Sequence, residues 1–210
     1  ISKTTFQVSE VKVKQVKKRP YAPFRTSTLQ QAASRNLSMS AKQCAGVAQE
    51  LFREGLITYI RTDSVHLSTD AVQSVREAIK NSPSLGPKYL PSKPPFYPNK
   101  AKNAQEAHEA IRPTNVGCAP KDLPKHLAKS ATQLYGLIWK RTMASQMENG
   151  LDDQVTIDFS SPDKKIVLHS SGSKIAFDGF RKIYAEHMKP DESDQIQEDT
   201  IPTVKEGENA

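Results

Sequence analysis

The constraint that does most to limit this chain is the placing of its β-patterned stretches, which lie at its two ends with a long helix-patterned stretch between them. Residues 4–16 alternate apolar and polar side chains with one slip, Phe6 and Val8 in one phase and Val11 and Val13 in the next. That is the pattern of one strand or two with a phase slip, of the kind a bulge makes. A lone strand buries no core, so this one must pair with a distant part of the chain. Residues 152–160, 164–170 and 174–177 supply the partners, reading as three strands with turn signals at Ser161-Pro162-Asp163 and Ser171-Gly172. Lys12, Lys14, Lys17 and Lys18 would take an exposed face, where lysines commonly protect a sheet edge. The expected fold class is α+β: residues 1–18 and 147–210 form one discontinuous β-rich domain, and a mainly helical domain of residues 19–146 is inserted into it.

The insert opens on a break, since residues 19–24 hold Pro20 and Pro23. Thr26-Ser27 is placed to cap a helix through Leu29, Ala32, Ala33 and Leu37, and Ser40 to cap a second through Cys44, Val47, Ala48, Leu51 and Phe52. Two helices with a tight turn, then an extended segment, make a helix-turn-helix pattern. Ser68 or Thr69 caps a third helix with Ala71, Val72, Val75 and Ile79 inward. Residues 81–103 hold six prolines and read as a long loop, in which Tyr89, Phe96 and Tyr97 either stack on bases or pin the loop to the body; pinning is the favoured reading. Residues 122–147 read as one long helix whose stripe is Leu127, Ala131, Leu134, Tyr135, Ile138 and Trp139.

Charge narrows the partner. The net charge is +7 with a pI near 9.3, which suits a polyanion. It is uneven: residues 186–208 carry eight acids against Lys189 and Lys205, leaving 28 basic and 15 acidic residues before them. Cys44 and Cys118 are too few and too far apart for a zinc site or a disulfide framework. No apolar run approaches a membrane span, and no signal peptide is visible. The chain begins at Ile1, and the expectation is a piece of a longer cytoplasmic protein.

The richest stretch chemically is Gly55-Leu56-Ile57-Thr58-Tyr59-Ile60-Arg61-Thr62-Asp63-Ser64. Gly55 suits the left-handed position that ends a helix. If the residues after it are extended, Tyr59, Arg61 and Asp63 share one face, and Ile60 and Thr62 take the other. That face has two readings. In one, Arg61 and Asp63 are a solvated pair worth about 0–1 kcal/mol. In the other, Tyr59 is a nucleophile beside a fixed cation. A phenol titrating near about 10 is a poor nucleophile at neutral pH, and a guanidinium can stabilise both a phenolate and a phosphoryl group under attack.

The ten-residue string closely resembles the active-site segment of type IA DNA topoisomerases. Pro23-Phe24 with residues 26–33 resembles the segment upstream of it in bacterial topoisomerase I, and Ala104-Gln105-Glu106-Ala107-His108-Glu109-Ala110-Ile111-Arg112-Pro113 resembles the family's second hallmark. The wording at that hallmark is similar to topoisomerase I rather than to the topoisomerase III group. The resemblance implies that Tyr59 attacks DNA phosphorus and is esterified to the cut 5′ end. It implies Arg61 and His108 as further catalytic residues, with His108, an imidazole of ordinary value about 6.5, a hydrogen-bond donor to phosphate or a proton shuttle. Arg25, Gln30, Asp63 and Arg112 are the candidate DNA contacts.

As for architecture, the resemblance implies that residues 19–146 are domain III, with a core like the catabolite-activator DNA-binding domain. The β-rich part would be an arch, domain II, that lets domain III lift. The expected partners are single-stranded and negatively supercoiled DNA and the remaining domains of the same polypeptide, and the expected place is the bacterial cytoplasm, at the nucleoid. Mg²⁺ is the expected cofactor of the full-length enzyme, held by Toprim acids in a spacing like Asp-x-Asp-x-Glu. No such cluster occurs here, and Asp152-Asp153 is the nearest acidic pair. The fragment alone is therefore expected to be inactive. Two alternatives remain beside this reading: a single-stranded nucleic-acid-binding module without chemistry, and a tyrosine recombinase, whose set of Arg and His residues is not found.

Overall fold

Residues 5–98, 109–185 and 204–208 are described by the computed structural model. They fall into two units, one of residues 5–18, 149–178 and 204–208, the other of residues 19–98, 109–148 and 179–185. Four helices and one antiparallel three-stranded sheet occur among them, a mixture of helix and sheet.

The first unit is the sheet. Strand β1 (Gln7–Lys18) pairs antiparallel with β2 (Gly150–Ser160), and β2 with β3 (Val167–Phe177), in the order β1-β2-β3. The phase slip read in residues 4–16 is a register shift between Val8 and Glu10, so Phe6 and Val8 are buried on one side of it and Val13 is exposed beyond it. At this bulge Val8 also exchanges backbone hydrogen bonds with Gly207 and Glu208 (2.8 and 2.9 Å). The partner strands number two, not three. Ser171 and Gly172 sit in mid-strand opposite Thr156 and Val155 instead of turning. A reversal there would strip Leu151 to Val155 of β2 of their ladder partners, and buried or half-buried strand backbone must be paired. The single reversal lies at residues 161–166. There Ser161 Oγ donates to Asp163 Oδ1 (2.6 Å) and accepts from Ile166 N–H (3.0 Å), with Lys164 left-handed at φ 56°.

The second unit is built on α1 (Thr26–Leu37), α2 (Ala41–Arg53), α3 (Thr69–Asn81) and α4 (Lys129–Ser145). Leu29, Ala32 and Ala33 of α1, Cys44, Ala48 and Leu51 of α2, and Ala131, Leu134, Tyr135 and Ile138 of α4 join Phe24, Ile57, Ile60 and Ile111 in one core. α3 turns Ala71 toward a smaller cluster with Leu67 and Ala110. Ser40 caps α2 through a reciprocal pair with Gln43 (3.2 and 2.9 Å), and Ser68 caps α3. None of these helices is long and apolar enough to cross a membrane.

α4 begins later than its apolar stripe implied, because Pro124 holds Leu123 extended (ψ 152°) and Pro120–Asp122 forms only a short 3-10 turn. Leu127 joins the core from the loop, while Trp139, packed at the core's margin, donates its indole N–H to Val116 O at 2.8 Å. Arg141 lies over the rings of Tyr21 and Phe24 (4.8 and 4.5 Å), which ties the chain before α1 to α4. In the proline-rich loop Tyr89 is buried and the Tyr97 hydroxyl meets Pro20 O and Ser145 O (3.2 and 3.0 Å), so these two pin the loop. Phe96 does not, being 79% exposed. A 3-10 turn at Gly179–Ile183 packs on α4, with Phe180 N–H donating to Glu148 O (2.9 Å).

The end of α2 sets the direction in which the chain leaves it. Gly55 is left-handed at φ 69°, its N–H bonds Phe52 O, and Leu56 N–H bonds Leu51 O (both 2.9 Å), which is a Schellman motif. A Cβ at Gly55 would meet nothing within 4 Å, so an alanine there is penalised by backbone conformation alone. Gly55→Ala should lower unfolding free energy by about 1–2 kcal/mol, whereas Gly46→Ala, exposed in mid-α2 with equally open space, should raise it by about 0.5–1 kcal/mol. Urea titration of both variants gives the two signs.

Candidate active site

From Gly55 the chain runs through residues 56–66 in no helix and no ladder, with one isolated bridge between Ile57 and Pro113. Such backbone must find its hydrogen bonds singly. Thr58 N–H donates to Arg112 O (2.9 Å), and Thr58 Oγ1 donates to Ala110 O (2.7 Å) while accepting from Arg112 N–H (3.0 Å). On the other flank Thr26 N–H donates to Thr62 O (3.0 Å). Thr26 Oγ1 donates to Ile60 O (2.7 Å) and accepts from Thr62 N–H (3.0 Å). Thr62 Oγ1 then accepts from Ser64 N–H (3.0 Å), and Ser64 Oγ from His66 N–H (3.1 Å).

These bonds set a strict alternation. Ile60, Thr62 and Ser64 are buried, and Tyr59, Arg61 and Asp63 are exposed. The phenol, the guanidinium and the carboxylate therefore share one solvent-facing side without any sheet to impose the pleat. The Tyr59 ring rests edge-on against Phe52 of α2, centroids 5.4 Å apart at 63°, and the residue is 43% exposed. A phenol so placed is braced at its ring and open to a large substrate.

Arg25 stands at the N-cap of α1, the place the sequence gives to Thr26-Ser27. Thr28 Oγ1 accepts from its N–H (3.1 Å), while the neighbouring Thr26 bonds residues 60–62. Arg25 is thus chained to the Tyr59 segment through its neighbour, and Gln30 lies one turn further along α1, on the side of Thr26. Both are half-buried.

Arg112 sits on the other flank and is engaged with Glu109. Its Nη2 and Nε donate to Glu109 Oε2 (2.7 and 3.1 Å), and Nη1 to Pro113 O (2.9 Å). Glu109 Oε1 accepts from Ser68 N–H (2.7 Å), so this carboxylate joins residues 109–112 to the start of α3. Burial pushes the Glu109 carboxyl upward, but the hydrogen bonds from Ser68 and Arg112 and the Arg112 charge outweigh it and hold the group below its ordinary value. His108 and Glu106 lie outside the described residues.

Sequence pattern alone does not mark Thr26, Thr58 and Ser64 as positioning groups. The signal available is hydroxyl residues spaced through a segment that no ladder satisfies. Among the described residues no three His, Cys, Asp or Glu side chains gather to hold a metal ion. Asp152 and Asp153 are consecutive in β2 and so face opposite sides, Asp152 wholly buried, which does not suit a shared cation.

The whole chain, residues 1–210, matches the family model described as DNA topoisomerase. The chain belongs to that family. It is 47% identical to the DNA topoisomerase 1 of Rickettsia bellii (strain RML369-C) over 97% of this chain and 26% of that protein, and 42% identical to the DNA topoisomerase 1 of Streptomyces coelicolor (strain ATCC BAA-471 / A3(2) / M145) over 99% and 22%. In structure it resembles the full-length topoisomerase I of Thermotoga maritima, with a TM-score of 0.77 and 32% identity, over 99% of this chain and 33% of that one. The chain thus spans about a quarter of the length of the curated relatives it matches.

The Glu109 pair gives a pH test. Its depressed folded value means that its stabilisation is complete above the carboxyl value of the unfolded chain and is lost as pH falls through the lower folded value. Glu109→Gln should lower Tm by about a few degrees at neutral pH, with the gap to the parent closing as the solution is acidified. Melting curves across the acid range check this; a gap independent of pH would sink it.

Proposed function

We propose that this chain carries the nucleophile of a type IA DNA topoisomerase, which cleaves one strand, passes the other through the gap and religates, relaxing negatively supercoiled DNA. The observation that carries the reading is the exposed row Tyr59-Arg61-Asp63, held outward by the buried Ile60, Thr62 and Ser64. In this reaction the Tyr59 oxygen forms a bond to phosphorus and the bond from phosphorus to the 3′ oxygen breaks. The phenol gives up its proton, the leaving 3′ oxygen takes one up, and the 5′ phosphate stays on Tyr59. Attack by the 3′ hydroxyl reverses every change, so the backbone is cut without net loss of bond energy.

Arg61 neutralises charge on the equatorial oxygens, and its planar fork grips two of them where a lysine would grip one. His108 is proposed to donate to the phosphate or to shuttle the proton. Arg25 and Gln30, at the start of α1, and Asp63 line the strand's path; Arg112, through its pair with Glu109, holds the opposite flank. In architecture, α1 and α2 with the segment after them form a helix-turn-helix core like that of the catabolite-activator DNA-binding domain. The helical unit is proposed as domain III, residues 19–148 with the turn at Gly179–Ile183 in place of the 19–146 read from the sequence, and it interrupts an arch to which residues 5–18 and 149–178 belong. Mg²⁺ supplies charge neutralisation in the full-length enzyme from ligands outside this chain. The site of action is the nucleoid DNA of the cytoplasm.

Tyr59→Phe removes one oxygen and leaves no cavity, so in the full-length polypeptide it should abolish cleavage while DNA binding and Tm stay near those of the parent. Denaturing gels that trap the covalent protein–DNA adduct read this directly, and an adduct formed by the variant would exclude Tyr59. The 210-residue chain alone should bind single-stranded DNA weakly, with affinity falling steeply as salt rises, and should leave a supercoiled plasmid unrelaxed even with Mg²⁺ added. Plasmid relaxation by this chain would show that the missing domains are not required.

A further inference from the structure

Two threonine hydroxyls bracket the Tyr59 segment in the same way, and neither is exposed as a DNA contact. Each gives its single proton to a backbone carbonyl at 2.7 Å and takes an amide proton at 3.0 Å from a residue two positions along that same strand of backbone. Thr26 does so with Ile60 O and Thr62 N–H, and Thr58 with Ala110 O and Arg112 N–H. Residues 58–62 belong to no ladder, so these hydroxyls stand where strand partners would. We infer that Thr26 and Thr58 are positioning residues, which lock the register of Tyr59 and Arg61 against the start of α1 on one side and residues 110–112 on the other.

The inference rests on the reading of Tyr59 as nucleophile and adds to it what fixes the phenol's line of attack. A helix cap at Thr26 would turn its hydroxyl to an amide of the first turn of α1; here Arg25 is the N-cap, and the Thr26 hydroxyl meets Ile60 O and Thr62 N–H of the nucleophile segment. In-line displacement at phosphorus is steep in geometry, and a misplacement of about 1 Å can cost on the order of 100-fold in rate. DNA binding, spread over many phosphate contacts, is insensitive to such a shift.

The test uses the full-length polypeptide with a single-stranded oligonucleotide and compares Thr26→Val, which keeps the shape, with Thr26→Ser, which keeps the hydroxyl. Single-turnover formation of the covalent adduct, dissociation constant and Tm are read for each, with Thr58→Val and Thr58→Ser as an independent pair. Thr26→Val is expected to slow adduct formation by about 30–100-fold with binding changed less than about three-fold, and Thr26→Ser to recover most of the rate. A parental rate per folded molecule in both valine variants overturns the inference. So does equal loss of rate and binding, or a serine variant as slow as the valine. Should the valine variants fail to fold at the assay temperature, the serine variants decide: normal stability with slow cleavage, or no stable fold, both overturn it, and parental cleavage supports it. Tyr59→Phe runs beside them, so that adduct formation by that variant marks failure of the nucleophile assignment instead.

Discussion

Buried main chain outside regular structure is the constraint on which the helical unit depends. Residues 56–66 pass through the core, burying Ile57, Ile60, Thr62 and Ser64, yet they have no ladder to satisfy their amides and carbonyls. An unmet buried donor or acceptor costs about 1–3 kcal/mol, and a run of them would outweigh the domain's net stability. Side-chain hydroxyls at positions 26, 58, 62 and 64 and the backbone of residues 110–112 remove that cost. The same bonds dictate which side chains face water. Stability and exposure of the candidate nucleophile thus come from one set of contacts.

That coupling explains why the Thr-Asp-Ser wording accompanies the tyrosine. Thr62 and Ser64 are inward groups that tie successive amides, and Asp63 is the outward residue between them. On the far flank Glu109 serves two masters, accepting from Ser68 at the head of α3 and from Arg112. The Tyr59 segment is thereby linked through backbone and side chains to α1, α2 and α3 at once.

Local chemistry was the legible part of the sequence. Ser40, Ser68 and Gly55 mark element ends because a cap or a left-handed turn is decided by one or two residues. The alternation at residues 59–64 was legible too, although through period alone and without its cause. What escaped depends on distant partners. Ser171-Gly172 reads as a turn by composition and is a strand because β2 is long enough to demand a full-length partner. Thr26 reads as a cap, but its hydroxyl answers to residues 36 positions away at its furthest. Helix periodicity could not see that Pro124 holds Leu123 extended, so Leu127 reached the core from a loop. Phe96 could not be told from Tyr97 by type, since only the hydroxyl finds carbonyls to meet.

The short turn at Gly179–Ile183 belongs with the helical unit although β2 and β3 come before it in the chain. Phe180 on that turn is among the largest fully enclosed side chains of the described residues. A protein engineer who excised residues 19–148 as a continuous block would keep α1 to α4 and still leave an aromatic plug behind. The helical unit is therefore not a transplantable cassette as the chain is written; moving it to another scaffold requires grafting the plug from beyond the second and third strands, or filling its vacated seat with a new side chain.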